Sequence, residues 1–98
     1  MRFGDFFEHP APPQHTPTPI NVGRANIAVS LTDGRSHNFY ITGYYQRGYG
    51  VVGAEQAFAE WQYKTAETQM ADIGHGSFVA LHMIRDVKVE YAEHTIEA

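Results

Sequence analysis

The chain of 98 residues contains no cysteine, which excludes disulfides, thiol nucleophiles and thiolate metal sites and fits a reducing compartment as well as any other. Positive charge is sparse. Seven Lys and Arg against eleven Asp and Glu give a net charge of −4, a balance that repels phosphate backbones and disfavours nucleic acid as a partner. Long apolar runs are missing too: no stretch approaches the about 18 residues that a membrane-spanning helix needs, so no membrane span is expected. The first residues lack the basic and then apolar order of a signal peptide, and the expected location is cytoplasmic. Ser30, Ser36 and Ser77 are all outside a G-x-S-x-G elbow, and no carboxylate pair with divergent surroundings is evident. With no catalytic residue and no cofactor to assign, the expectation is that the protein is not an enzyme.

What is present points to one folded body. Hydrophobic residues make up 43% and charged residues 18% of the chain, too apolar a mix for a wholly disordered polypeptide. A chain of this length holds one core. All five prolines fall within the eleven residues His9–Pro19, a stretch that reads as a polyproline-like spacer, able to span roughly 34 Å at ~3.1 Å per residue. Ahead of it lie Phe3, Phe6 and Phe7. Residues 1–24 are therefore read as a proline-rich arm that carries three phenylalanines to a partner, and residues 25–98 as a single domain.

Within that domain the apolar period changes along the chain. Ile27, Val29 and Leu31 alternate with smaller or polar residues, as do His37, Phe39 and Ile41 after Asp33-Gly34, which predicts a β-hairpin. A two-residue Asp-Gly loop would put the two apolar sets on opposite faces. A three-residue loop, Thr32-Asp33-Gly34 with Gly34 left-handed, pairs Leu31 with Arg35, Val29 with His37 and Ile27 with Phe39, and restores one common face. A helix is predicted from Ala54 to about Asp72, with Ala57, Phe58, Trp61 and Thr65 on its apolar stripe, Met70 and Ile73 extending it, and Gly74 as the stop. From Ser77 to Tyr91 the period is again two. One strand of that length is too long for a small sheet, so a bend or bulge is expected near Arg85-Asp86. The fold class is α+β: a small antiparallel or mixed sheet of about four strands with one helix packed on one face. Phe78, Ala80, His82 and Ile84 then place apolar residues on the second face as well, joined there by Tyr40 and Tyr44. One helix leaves that face uncovered, and an uncovered apolar face marks association.

Three groups of residues qualify as candidate sites. Gly48-Tyr49-Gly50-Val51-Val52-Gly53 spells G-x-G-x-x-G before a helix, the pattern that brings backbone close to a pyrophosphate in dinucleotide-binding folds. The chain is too short for both halves of such a fold, and the preceding strand belongs to a hairpin. The run reads better as a flexible loop with positive φ angles, or as a simple ligand or anion site using Gly48, Gly50 and Gly53. Of the six histidines, His37 and His82 fall on strands, but no pair has the spacing of a helical zinc site, and no metal is expected. The tyrosines Tyr44, Tyr45 and Tyr49 are expected to be exposed, and such residues serve interfaces because they bury area at little entropic cost.

The run Ile27-Ala28-Val29-Ser30-Leu31-Thr32-Asp33-Gly34-Arg35 is similar to the first motif of Sm-like RNA-binding barrels, and Ile84-Arg85-Asp86-Val87 to their second. The match is short. The chain departs from that pattern by a helix between the two motifs, by lacking a glycine after Arg85 and by its acidic charge, so no membership is assigned. The functional expectation is a non-enzymatic protein-binding or assembly module, an accessory or inhibitory subunit of a larger complex. It would bind another protein or a second copy of itself through Phe3, Phe6, Phe7, Tyr44, Tyr45 and Tyr49.

Overall fold

A computed structural model describes residues 18–97. In chain order the elements are β1 (Pro19–Asn21), β2 (Arg24–Leu31), β3 (Ser36–Thr42), β4 (Tyr44–Gln46), β5 (Gly50–Val52), α1 (Ala54–Thr68), β6 (Met70–Asp72), β7 (Phe78–Ala80), a 3-10 turn (Leu81–Met83), β8 (Ile84–Ala92) and β9 (Thr95–Glu97). The chain is α+β, with one α-helix and antiparallel sheets of two or three strands. The main sheet has the order β3-β2-β8, and β1–β9, β4–β5 and β6–β7 form two-stranded ribbons around it.

β2 is the centre of the fold because its sequence alternates without a break. Ala25, Ile27, Val29 and Leu31 are buried and the residues between them are partly exposed. The hairpin forms in the three-residue-loop register: Val29 pairs with His37 and Ile27 with Phe39, and the Leu31 N–H donates to the Arg35 carbonyl at 2.8 Å. Gly34 has φ +89°, where a side chain is strained. Asp33 closes the turn by accepting the Arg35 backbone N–H at 3.0 Å and its Nε at 2.7 Å.

α1 covers the buried face of β2. Ala54, Ala57, Phe58 and Thr65 are its buried residues, so the expected stripe is the one used, with Trp61 at its edge. The Trp61 ring lies 5.7 Å from Phe58 and 5.6 Å from Phe39, and its Nε1 donates to the Asp72 carbonyl at 2.8 Å. The helix ends earlier than its stripe suggests. Gln69, not Gly74, takes the left-handed cap at φ 61°, with its N–H bonded to the Thr65 carbonyl. Met70 and Ile73 thus leave the helix: Met70 starts β6, and Ala71 and Ile73 are buried beyond it.

The segment after the helix also divides differently from a single bent strand. Phe78–Ala80 leaves the main sheet to pair with β6, the 3-10 turn reverses the phase, and Ile84 then packs against the core. A register shift opposite Ser30 and Leu31 places the bulge where Ile84, Arg85 and Asp86 meet β2. The expected apolar second face is consequently absent. Opposite the helix, the sheet presents Asn26, Ala28, Asn38, Tyr40, Lys88 and Glu90 around a shallow depression of about 430 Å³. Tyr40 belongs to that face, with the Arg24 guanidinium 5.5 Å from its ring centre, whereas Tyr44 turns toward the helix. Phe78 is exposed beside Trp61 and Met70, along an apolar groove of about 410 Å³.

The run ahead of β2 belongs to the folded body. Pro19–Asn21 pairs with Thr95–Glu97, and Val22 is only 2% exposed. Its N–H and that of Gly23 donate to the His94 carbonyl, and its own carbonyl accepts the Ala54 N–H at 3.1 Å. Gly43 lies against this junction. A Cβ on it would stand 2.1 Å from the Val22 carbonyl oxygen and 2.5 Å from that of Val52, contacts that only a glycine avoids. Gly53 has open space around it and an ordinary φ of −71°. Chemical denaturation of two variants separates these cases. Gly43→Ala is expected to lose more than about 3 kcal/mol or fail to fold, the scale of severe overpacking, and Gly53→Ala to lose no more than about 1 kcal/mol, as for an N-cap glycine replaced by alanine.

Candidate functional site

The site that the fold singles out is the β4–β5 hairpin. The Gly43 contact turns β3 sharply into β4, so the Gly-rich run does not form an irregular loop. Tyr44, Tyr45 and Gln46 pair with Val52, Val51 and Gly50. Gly48 and Gly50 adopt φ +88° and +93°, and the Tyr49 N–H closes the turn onto the Gln46 carbonyl at 2.9 Å. The expected positive φ angles are found, but they shape a hairpin turn.

Paired residues share a side of a two-stranded ribbon, so the hairpin has two unlike faces. Val52 is buried, and its partner Tyr44 donates its phenol to Glu60 on α1, 3.3 and 3.2 Å from the two carboxylate oxygens. Partial burial, followed by the negative charge of Glu60 and this hydrogen bond, raises the Tyr44 pKa above its ordinary value. The phenol therefore stays a donor and ties the hairpin to the helix. On the opposite side, Tyr45 and Val51 face each other 46% and 48% exposed, and Tyr49 at the turn is 82% exposed.

The structure thus places Tyr45 on the outer side of the hairpin and Tyr49 at its turn, and gives Tyr44 a positioning contact, with all three exposed as expected. Val51 completes the patch. Sequence reading missed it because the glycines around it hid the strand, although Tyr45 and Val51 are spaced for a hairpin pair. Phe3, Phe6 and Phe7 lie outside the described residues.

The three glycines do not converge on the start of α1. Gly48 and Gly50 sit at the hairpin turn, and the β5 strand carries the chain roughly 10 Å from Gly50 to Gly53 at ~3.3 Å per residue. The Ala54 N–H is taken by the Val22 carbonyl, and Glu55 in the first turn opposes an anion. His37 is on β3 and His82 in the 3-10 turn. Among the described residues, no group of three or more His, Asp or Glu is placed to hold a metal ion, and no helix is long and apolar enough to cross a membrane. Comparisons with protein-family models, with curated proteins and with solved structures find no match.

The Tyr44–Glu60 contact has a pH signature. A folded-state pKa above the unfolded one means that the contribution is complete below the unfolded tyrosine value of about 10 and is lost as pH rises through the folded value. Glu60→Gln removes the charge and keeps the burial. Spectroscopic titration of the phenols is expected to show the Tyr44 midpoint moving down in this variant, and the alkaline loss of stability, which begins near the unfolded tyrosine value in both proteins, becoming smaller.

Proposed function

We propose that this chain is a non-enzymatic protein-binding module, an accessory subunit that docks onto another protein through the outer face of the β4–β5 hairpin. The observation that carries this reading is the exposed Tyr45–Val51 cross-strand pair with the exposed Tyr49 at the adjoining turn, held on a hairpin whose backbone is fixed at Gly43 and at the Tyr44–Glu60 bond. Aromatic anchors on a rigid ribbon suit docking because little freedom is lost on binding. The phenol groups also supply a polar end that an exposed Leu or Ile would lack. Phe3, Phe6 and Phe7 belong to the same proposal as further apolar anchors contributed by the arm. Catalysis has no corresponding support, since no nucleophile, base or paired carboxylate is gathered at the hairpin.

Affinity capture from the native host tests this reading, using the full chain, a Tyr45→Ala/Tyr49→Ala variant and Tyr63→Ala as an exposed control on the helix. A specific partner should be retained by the wild type and the control. It should bind the double variant at least about thirtyfold more weakly, as for interface anchors worth about 2 kcal/mol. Equal capture by all three would remove the hairpin from the interface.

A further inference from the structure

The main sheet has unlike edges. Beside β3 stands the β6–β7 turn, where a Cβ on Gly74 would come within 3.3 Å of the Phe39 Cβ. Among the described residues β8 has no second strand neighbour: it pairs with β2 and with nothing else. It is also the longest strand, with nine residues. A long unpaired edge is a template for strand addition.

Backbone alternation shows which groups that edge offers. In an antiparallel sheet each residue turns its N–H and C=O to one neighbour, and the next residue turns them to the other. The Leu31 N–H bonds to Arg35, just ahead of β3, so Leu31, Val29, Ile27 and Ala25 bond toward β3, and Ser30, Ala28, Asn26 and Arg24 toward β8. Their partners on β8 are Asp86, Lys88, Glu90 and Ala92. Val87, Val89 and Tyr91 consequently present N–H and C=O groups to the open edge. Their side chains share the helix side of the sheet, half-buried at Val87 and Val89 and exposed at Tyr91.

The side chains between them carry alternating charge in a self-complementary order, with Lys88 and Glu90 on either side of Val89. Lys88 and the bulge at the start of β8 guard this edge against indiscriminate pairing, and leave a strand of matching charge order as the partner it accepts. We propose that two copies of this chain pair their β8 strands antiparallel about a twofold axis at Val89. Val89 then faces Val89 of the second copy, Lys88 faces Glu90 twice, and Val87 faces Tyr91 twice. Shifting the pairing by two residues in one direction sets Lys88 against Lys88, and in the other sets Glu90 against Glu90. Like charges directly opposite destabilise a strand pair. The Val89-centred pairing sets Lys88 and Glu90 against each other, whereas a Val87-centred one sets Lys88 against Asp86 but Val89 against Arg85; only the former extends the apolar row of Val87, Val89 and Tyr91 across the axis between the two helices. The result is a six-stranded sheet with both helices on one side and both hairpins free. This dimer rests on β8 alone, so it stands or falls separately from docking at Tyr45 and Tyr49.

Sedimentation equilibrium of the full chain should return a dimer that dissociates on dilution. Lys88→Glu and Glu90→Lys should each weaken it by roughly tenfold through the two symmetric contacts, and the combined swap should restore it. Because the chain has no cysteine of its own, register is tested independently of affinity. Val89→Cys should form an intermolecular disulfide on mild oxidation, since paired Cα atoms are about 5.5 Å apart. Val87→Cys should not, because its own counterpart is displaced by roughly 13 Å along the strand. Tyr49→Ala should leave the dimer intact. A monomer at every concentration, a dimer indifferent to both charge changes, or equal crosslinking at residues 87 and 89 would overturn the proposal.

Discussion

Residue 43 has no room for a side chain, and most of the architecture passes through that fact. The Val22 and Val52 carbonyls converge on the Gly43 Cα, while the Gly43 N–H donates to the Gly23 carbonyl at 2.9 Å. The same Val22 carbonyl accepts the first N–H of α1, and Val22 and Gly23 bond to His94 at the end of β8. Asn21 completes the junction by accepting the Gly23 and His94 N–H groups, each at 3.1 Å. Four stretches of chain therefore meet through backbone groups. Buried backbone donors and acceptors must be paired, and here the pairing itself sets the bend from β3 into β4 and the start of the helix.

That junction explains why the surfaces differ. Once β4 and β5 are turned out of the main sheet, Val52 and Tyr44 belong to the body, and Tyr45, Val51 and Tyr49 have nothing left to pack against. The helix starts at the same point and packs against β6, β3 and β2. β8 is left with its inner row half covered and its outer backbone groups unpaired. The open face opposite the helix mixes Asn26, Asn38, Lys88 and Glu90 with Ala28 and the exposed ring of Tyr40. The association we propose is accordingly placed at the β8 edge and the β4–β5 hairpin.

Much of this was legible in the residues. The hairpin register followed from requiring Ile27, Val29, Phe39 and His37 to share a side, a constraint that period-two geometry makes strict. The helical stripe through Ala57, Phe58, Trp61 and Thr65 was equally clear, as was an irregularity near Arg85. What escaped depended on tertiary context. Gln69 is a left-handed helix cap without being a glycine, and nothing local announces it. Gly48 and Gly50 disguised a strand pair as a loop. The run from Phe78 to Ile84 kept an even alternation while its backbone changed sheets through a 3-10 turn, so a pattern that looked like one two-faced strand belongs to two different ribbons. Gly43 sits between two alternating runs with no sign that two carbonyls close on it.

The proposed dimer completes the β8 edge with a second copy of the chain. Amide hydrogen exchange at Val87, Val89 and Tyr91, followed across a dilution series, tests it most directly. Slow exchange in concentrated solution, becoming fast on dilution while Ile27 and Val29 remain protected, is the predicted result. Fast exchange at those three amides at every concentration would contradict it.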